Sequence, residues 1–170
     1  MIHKNQRLVL FTVFLLVVFL AGCLPTAGVP SNKALLKGKV VVPTTTRQEV
    51  TGQALAGATV KIVDPSTGEV IATTTTDANG NYSVQVPPGG PYIIQAEKDS
   101  LKVLDVSPRV EGGQTQDLGT ADAYSTAVAL VFQAKVEAGE DPAQINLDEI
   151  AEDPKIGNLT QAVEETLLAG

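Results

Sequence analysis

The 170-residue chain has no tryptophan, one cysteine, one methionine and one histidine. Each shortage removes a class of chemistry. A single cysteine, Cys23, excludes a disulfide within the chain. The one histidine, His3, stands at the N-terminus ahead of a long apolar run. Histidine-based triads, zinc sites with histidine ligands and cysteine nucleophiles are therefore excluded from the body of the chain. Basic residues are few as well: 12 Lys and Arg face 19 Asp and Glu, a net charge of −7. Such a surface repels nucleic acid and anionic headgroups, so no nucleic-acid partner is expected. Carboxylate, Lys or Ser/Thr chemistry remains, and no spacing in the sequence brings such groups together as a catalytic set. No cofactor and no metal is expected, and the chain is read as a non-enzyme.

What is present begins at the N-terminus. MIHKNQR carries Lys4 and Arg7, and LVLFTVFLLVVFLAG, Leu8 to Gly22, follows without a charge. A basic start and a short apolar core are the pattern of a secretory signal. The core is shorter than the roughly 20 residues of a spanning helix. It ends in LAGC, Leu20 to Cys23, which resembles the bacterial lipobox. The resemblance implies cleavage before Cys23 and a thioether-linked diacylglycerol on it. Two or more acyl chains anchor a protein stably, where one chain binds only marginally. Residues 1–22 are thus expected to be a lipoprotein signal peptide with a signal helix, and Cys23 the lipid attachment site. Residues 23–34 read as a tether, of which LPTAGVPSNK spans roughly 30 Å when extended. Losing Lys4 and Arg7 leaves the remainder more acidic, so the membrane link is covalent rather than electrostatic. The expected location is lipid-anchored and extracytoplasmic, on the cell membrane or the outer membrane.

From Leu35 to Gly119 short β-rich runs alternate with turn residues. Seven strands are expected: 35–42 ending at Pro43, 56–64, 69–76, 81–86, 92–98, 101–106 and 113–119. TTTRQEVTGQAL, 44–55, reads as a long polar loop. Alternation places Ala58, Val60 and Ile62 on one face, Tyr82, Val84 and Val86 on another, and Tyr92, Ile94 and Ala96 on a third. Seven short strands with frequent turns predict an antiparallel sandwich. After Thr120 the texture becomes helical. Residues 121–139 are alanine-rich, with Tyr124, Val128, Val131 and Ala134 at helical spacing and Gly139 as the stop. Asp141-Pro142 and Asp153-Pro154 each offer an Asp cap with a proline in the first turn. Residues 146–153 make a short acidic helix, and 156–169 a last one with Ile156, Leu159, Val163 and Leu167 on one stripe.

AGATV, the TG turn, TTDANGNY and PPGGPY, within residues 56–98, resemble the carboxypeptidase regulatory-like domain of the transthyretin-like (prealbumin-like) β-sandwich group. With flanking strands the resemblance covers roughly residues 35–119. It implies a mainly β, seven-stranded transthyretin-like sandwich, followed here by a helical segment over 120–170. It implies no catalysis, since such modules supply stability, spacing or ligand contact beside another domain. ADAYSTAVAL resembles helical extensions that follow such sandwiches in some bacterial lipoproteins. Related pilin-type sandwiches close a bond between Lys and Asn or Asp. Lys37, Lys39 and Asp117 raise that question, but no Asn and no acid motif accompany them, and the bond is not expected.

DANGN, Asp77 to Asn81, superficially looks like the start of a calcium loop. An EF-hand loop needs glycine at position 6 and glutamate at 12. Counting from Asp77, those positions hold Tyr82 and Pro88, and Gly80 falls at 4. A hairpin turn, with Asp opening it and Asn-Gly supplying positive φ, fits better. Asn81-Tyr82-Ser83 and Asn158-Leu159-Thr160 match the glycosylation triplet by chance. Asp148, Glu149, Glu152 and Asp153 form a solvated helix face. Tyr82 and Tyr92 alternate with apolar residues and read as core rather than as a sugar-stacking pair. The chain is thus expected to be a membrane-anchored structural or protein-interaction module with a protein or cell-wall partner. The alternative is a carbohydrate- or other ligand-binding surface module.

Overall fold

The computed structural model describes residues 32–46 and 49–170. The expected signal helix, Cys23 and the tether up to Ser31 lie outside the described residues.

The organising strand is β1 (Ala34–Thr46), which is 13 residues long. It is wide enough to serve three partners. Its first half pairs antiparallel with β5 (Asn81–Val86), its second half antiparallel with β2 (Glu49–Ala54), and its other edge parallel with β8 (Thr115–Ala121). The second sheet is antiparallel, in the order β4 (Val70–Thr75), β3 (Thr59–Val63), β6 (Tyr92–Lys98), β7 (Leu101–Ser107).

The alternation expected of the strands holds. Ala58, Val60, Ile62, Tyr82, Val84, Val86, Tyr92, Ile94 and Ala96 are all buried. With Leu36, Val40 and Val103 they fill the space between the sheets. Each large aliphatic chain so buried contributes about 1.5–3 kcal/mol of transfer free energy.

Three expectations about strands need correction. Among the described residues eight strands form, not seven, because Thr44–Thr46 continue β1 and Glu49–Ala54 form β2 within the segment expected to be a loop. Thr45 and Thr51–Gln53 are exposed, which fits the polar composition, and Thr44 and Thr51 stand opposite each other and hydrogen-bond through their side chains. Such β-branched cross-strand pairs stabilise strands without apolar alternation. Next, β1 does not stop at Pro43. Val40 directs both its N–H and its C=O toward β5 and β2. The odd-numbered Pro43 therefore turns its missing N–H to the opposite edge, where β8 has already ended beside Val40. Finally, β8 runs parallel to β1, so the first sheet is mixed.

The first helix packs on β7 of the second sheet, and the others gather around it. α1 (Ala123–Glu137) opens with a reciprocal capping box between Asp122 and Ser125. Gly139, at φ +95°, follows its C-terminal end. α2 (Leu147–Ala151) is capped by Asn146, and α3 (Ile156–Ala169) lies against α1 and β1. Asp141 caps a single 3-10 turn, Pro142–Gln144. Asp153 does not cap α3; it accepts the N–H of Lys155, the residue immediately before the helix.

The stripe expected on α3 is buried or half-buried. The stripe expected on α1 is not the buried one: Tyr124 is 45% exposed, and Ala123, Thr126, Ala127, Ala129 and Phe132 face inward instead. α1 is apolar around most of its girth and is covered on two sides, by β7 and by α3. Small residues then mark the closest approach, and large ones need not. The cover also buries Ile93, Leu104 and Val106, which lie on the strand face pointing away from the sandwich core.

The docking of α1 is directional. Leu104, on the free edge of β7, donates its N–H to Thr126 Oγ1 (2.9 Å), and its carbonyl accepts Ser125 Oγ (2.7 Å). Thr126→Val removes the acceptor and strands a buried N–H, at a cost of about 1–3 kcal/mol. Urea unfolding should report that loss, and hydrogen exchange should show the Leu104 amide losing protection. Unaltered Leu104 protection in the variant would mean that the clamp does not hold the helix.

Candidate functional site

DANGN is a turn, but not the hairpin expected. β4 and β5 belong to different sheets, so the segment is an arch that carries the chain across the sandwich. The reason lies in its contacts. Gly80, at φ +78°, presses on β1: its carbonyl accepts the Val40 N–H at 2.9 Å, and a Cβ would lie 2.6 Å from the Val40 oxygen. Buried Thr76 anchors the near side of the arch. Its hydroxyl donates to Leu55 O (2.6 Å) and accepts the Ala58 N–H (2.8 Å).

Inside the arch the Asp77 carboxylate accepts the backbone N–H groups of Asn79 and Asn81, each at 2.8 Å, and the Asn81 side-chain amide at 3.2 Å. The Asn81 backbone bond leads in holding this carboxyl below its ordinary value. What converges on Asp77 is N–H, not oxygen. The geometry is that of an Asx-type turn, and its donors leave the carboxylate engaged in the fold.

Beside the arch a groove of about 610 Å³ crosses the outer face of the first sheet. Lys37, Lys39, Thr75, Asn81, Ser83, Asp117 and Thr120 line it. Register explains the grouping, since Lys37 stands between Ser83 and Asp117, and Lys39 between Asn81 and Thr120. Both lysines are exposed, and Asp117 accepts the Gly119 N–H across a β-bulge. The groove can meet a polar ligand through ammonium, hydroxyl and amide groups. Tyr82 also lines the groove but is only 4% exposed, and Tyr92 is buried as expected, so among the described residues no aromatic ring lies open in it for a sugar to stack on. The four acids at 148, 149, 152 and 153 are solvent-exposed on and after α2, away from the groove.

One group escaped the sequence reading. Asp105 shares the core-facing side of β7 with Val103 and stands opposite Ile94. Burial pushes its carboxyl up to about 7, Asp122 adds to the rise, and the Val106 N–H opposes it. Near it, Tyr82 lies over Gly38, where a Cβ would sit 2.6 Å from the hydroxyl oxygen. Among the described residues the Tyr82 hydroxyl has no hydrogen-bond partner. Burial, with the charges of Asp105 and Asp117, lifts its titration far above the ordinary range. The signal available in the sequence was parity: an acid at the inward position of LKVLDV, where alternation calls for an apolar residue.

Two facing sheets, an inter-sheet arch and a polar outer face define a β-sandwich module. The chain belongs to the carboxypeptidase regulatory-like domain family, whose model matches residues 38–122. No curated protein matches the chain. Solved structures similar to it include the minor pilin GBS52 of Streptococcus agalactiae, at 12% identity over 54% of this chain and 45% of the pilin, TM-score 0.38. Another is PA1324 of Pseudomonas aeruginosa, a candidate carbohydrate binding protein, at 14% identity over 56% of this chain and 92% of that one, TM-score 0.37. A 9R-lipoxygenase from Cyanothece matches at 18% identity over 55% of this chain, TM-score 0.36. This chain spans 16% of the lipoxygenase and under half of the pilin.

Asp105 makes stability pH-dependent with a definite sign. Its folded pKa is raised, so between its ordinary value near 4 and about 7 the folded state holds a proton that the unfolded state has released. Its contribution therefore falls as pH rises through that window and stays low above it. Urea unfolding at pH 5 and pH 8 should show wild type losing roughly 1–2 kcal/mol, a figure reduced from the 1.4 kcal/mol per pH unit of linkage by partial solvent access. Asp105→Asn should lose much less over the same interval. Parallel curves for the two proteins would rule out a buried, protonated Asp105.

Proposed function

We propose that this protein is a membrane-anchored lipoprotein whose sandwich serves as a non-enzymatic structural or protein-interaction module at the cell surface. The observation that carries the reading is the order of parts. A basic start and an apolar core end in LAGC at Cys23, and a sandwich of the regulatory-like family opens at Ala34 after a short tether. The division is a signal peptide over 1–22, a tether over 23–34, the sandwich over 35–119 and a helical segment over 120–170. The partners are the membrane, through the lipid on Cys23, and a protein or cell-wall component; nucleic acid is not among them. The tether keeps the sandwich within roughly 30 Å of the lipid surface, which suits a module that displays or spaces something there.

A second reading is a carbohydrate- or other ligand-binding surface. The hydroxyl, amide and ammonium groups of the Lys37–Thr120 groove favour it. Binding there would rest on hydrogen bonds rather than on ring stacking.

Metabolic labelling with palmitate in the native host tests the anchor. Wild-type protein should carry the label in the membrane fraction, and Cys23→Ala should carry none. Equal labelling of the two proteins would refute lipidation at Cys23.

A further inference from the structure

The arch has a consequence for association. By crossing between sheets it leaves β4 and β5 as edge strands, each paired on one side only, β4 with β3 and β5 with β1. The two edges lie on the same side of the sandwich, since the five-residue arch joins them and their residues approach each other. An unpaired edge presents alternate backbone N–H and C=O groups to solvent. Among the described residues, no side chain or loop bonds to the backbone of β4, or to that of β5 beyond Asn81.

The edges of β7 and β8 are protected. Ser125 and Thr126 occupy the edge of β7 at Leu104. β8 carries Asp117 and the bulge at Gly119. β4 (VIATTT) and β5 (NYSVQV) carry no charge and no proline, the usual devices against edge pairing. A bulge at the start of β4, between its pairs with Ile62 and Val63, leaves Ala72–Thr75 regular.

We infer that this side of the sandwich is a self-association surface, on which a second copy of the chain pairs antiparallel along β4. The occupant follows from the edge itself. Backbone groups call for a strand, and an uncharged, Thr-rich strand accepts its own copy without like-charge repulsion. A two-fold axis perpendicular to the sheets matches outer face to outer face only when it passes through a residue. Centred on the regular span Ala72–Thr75, it sets Thr73 or Thr74 opposite its own counterpart. The same axis brings the β5 edges of the two copies together, so both sheets continue across one isologous interface. In either register the exposed Thr73 side chains are direct or diagonal cross-strand neighbours.

The test is the native mass of the full chain in mild detergent across a wide concentration range. Wild type should move from monomer to dimer. Thr73→Glu and Thr73→Lys should each remain monomeric, and an equimolar mixture should recover the dimer, which also shows that both variants are folded. A wild type monomeric throughout overturns the inference, whether or not another polypeptide co-purifies on the edge. A dimer indifferent to both variants overturns it too, as does a mixture that stays monomeric.

Discussion

The fold hangs on one backbone residue. Val40 donates its N–H to Gly80 and accepts the Leu55 N–H at 3.0 Å, so a single position of β1 holds both the end of the inter-sheet arch and the end of β2. Thr76 ties the same region to the entry of β3. Four strands thereby converge on a knot of backbone bonds, and these groups would each cost free energy if buried without partners. The rest of the sandwich is apolar filling between sheets whose relative placement that knot determines. Because the arch spans sheets rather than closing a hairpin, it also decides which edges stay open.

The helical segment completes the molecule by a different principle. The outer faces of β6 and β7 are apolar enough at Ile93, Leu104 and Val106 to need a cover. α1 supplies it, and Ser125 and Thr126 fix its position with hydrogen bonds that also blunt the β7 edge. One side of the sandwich is sealed by its own chain, while the side at β4 and β5 is not. The asymmetry fits a module that presents one side outward.

Most strands were legible because one-face burial writes itself as alternation, as in NYSVQV. The pairing of Thr44–Thr46 with Glu49–Thr51 was not, since a run of polar residues leaves no apolar period to read. The face of α1 was hidden for the opposite reason: a helix apolar all round has no polar side to subtract. DANGN showed its turn chemistry in Asp77 and Gly80, but turn residues specify local dihedrals and not which sheet the next strand joins. That choice is made by Val40, some 40 residues earlier in the chain, through backbone contacts that no local pattern records. Asp105 was visible as a parity violation, yet the size of its effect depends on burial that only the closed sandwich creates. The lipid anchor proposed at Cys23, by contrast, rests wholly on sequence, in residues outside the described fold.

The most direct measurement is a paired glycine substitution. Gly80 and Gly57 both have positive φ, at +78° and +70°, but a Cβ at 80 meets the Val40 oxygen whereas one at 57 meets nothing within 4 Å. Left-handed strain is common to both and amounts to about 1–2 kcal/mol. If the Gly80–Val40 contact holds the sheets in place, Gly80→Ala should destabilise the protein by roughly 2 kcal/mol more than Gly57→Ala in urea unfolding, a difference well beyond ordinary surface effects. Equal losses for the two variants would show that the arch bears only local strain, and the account of the fold given above would fail.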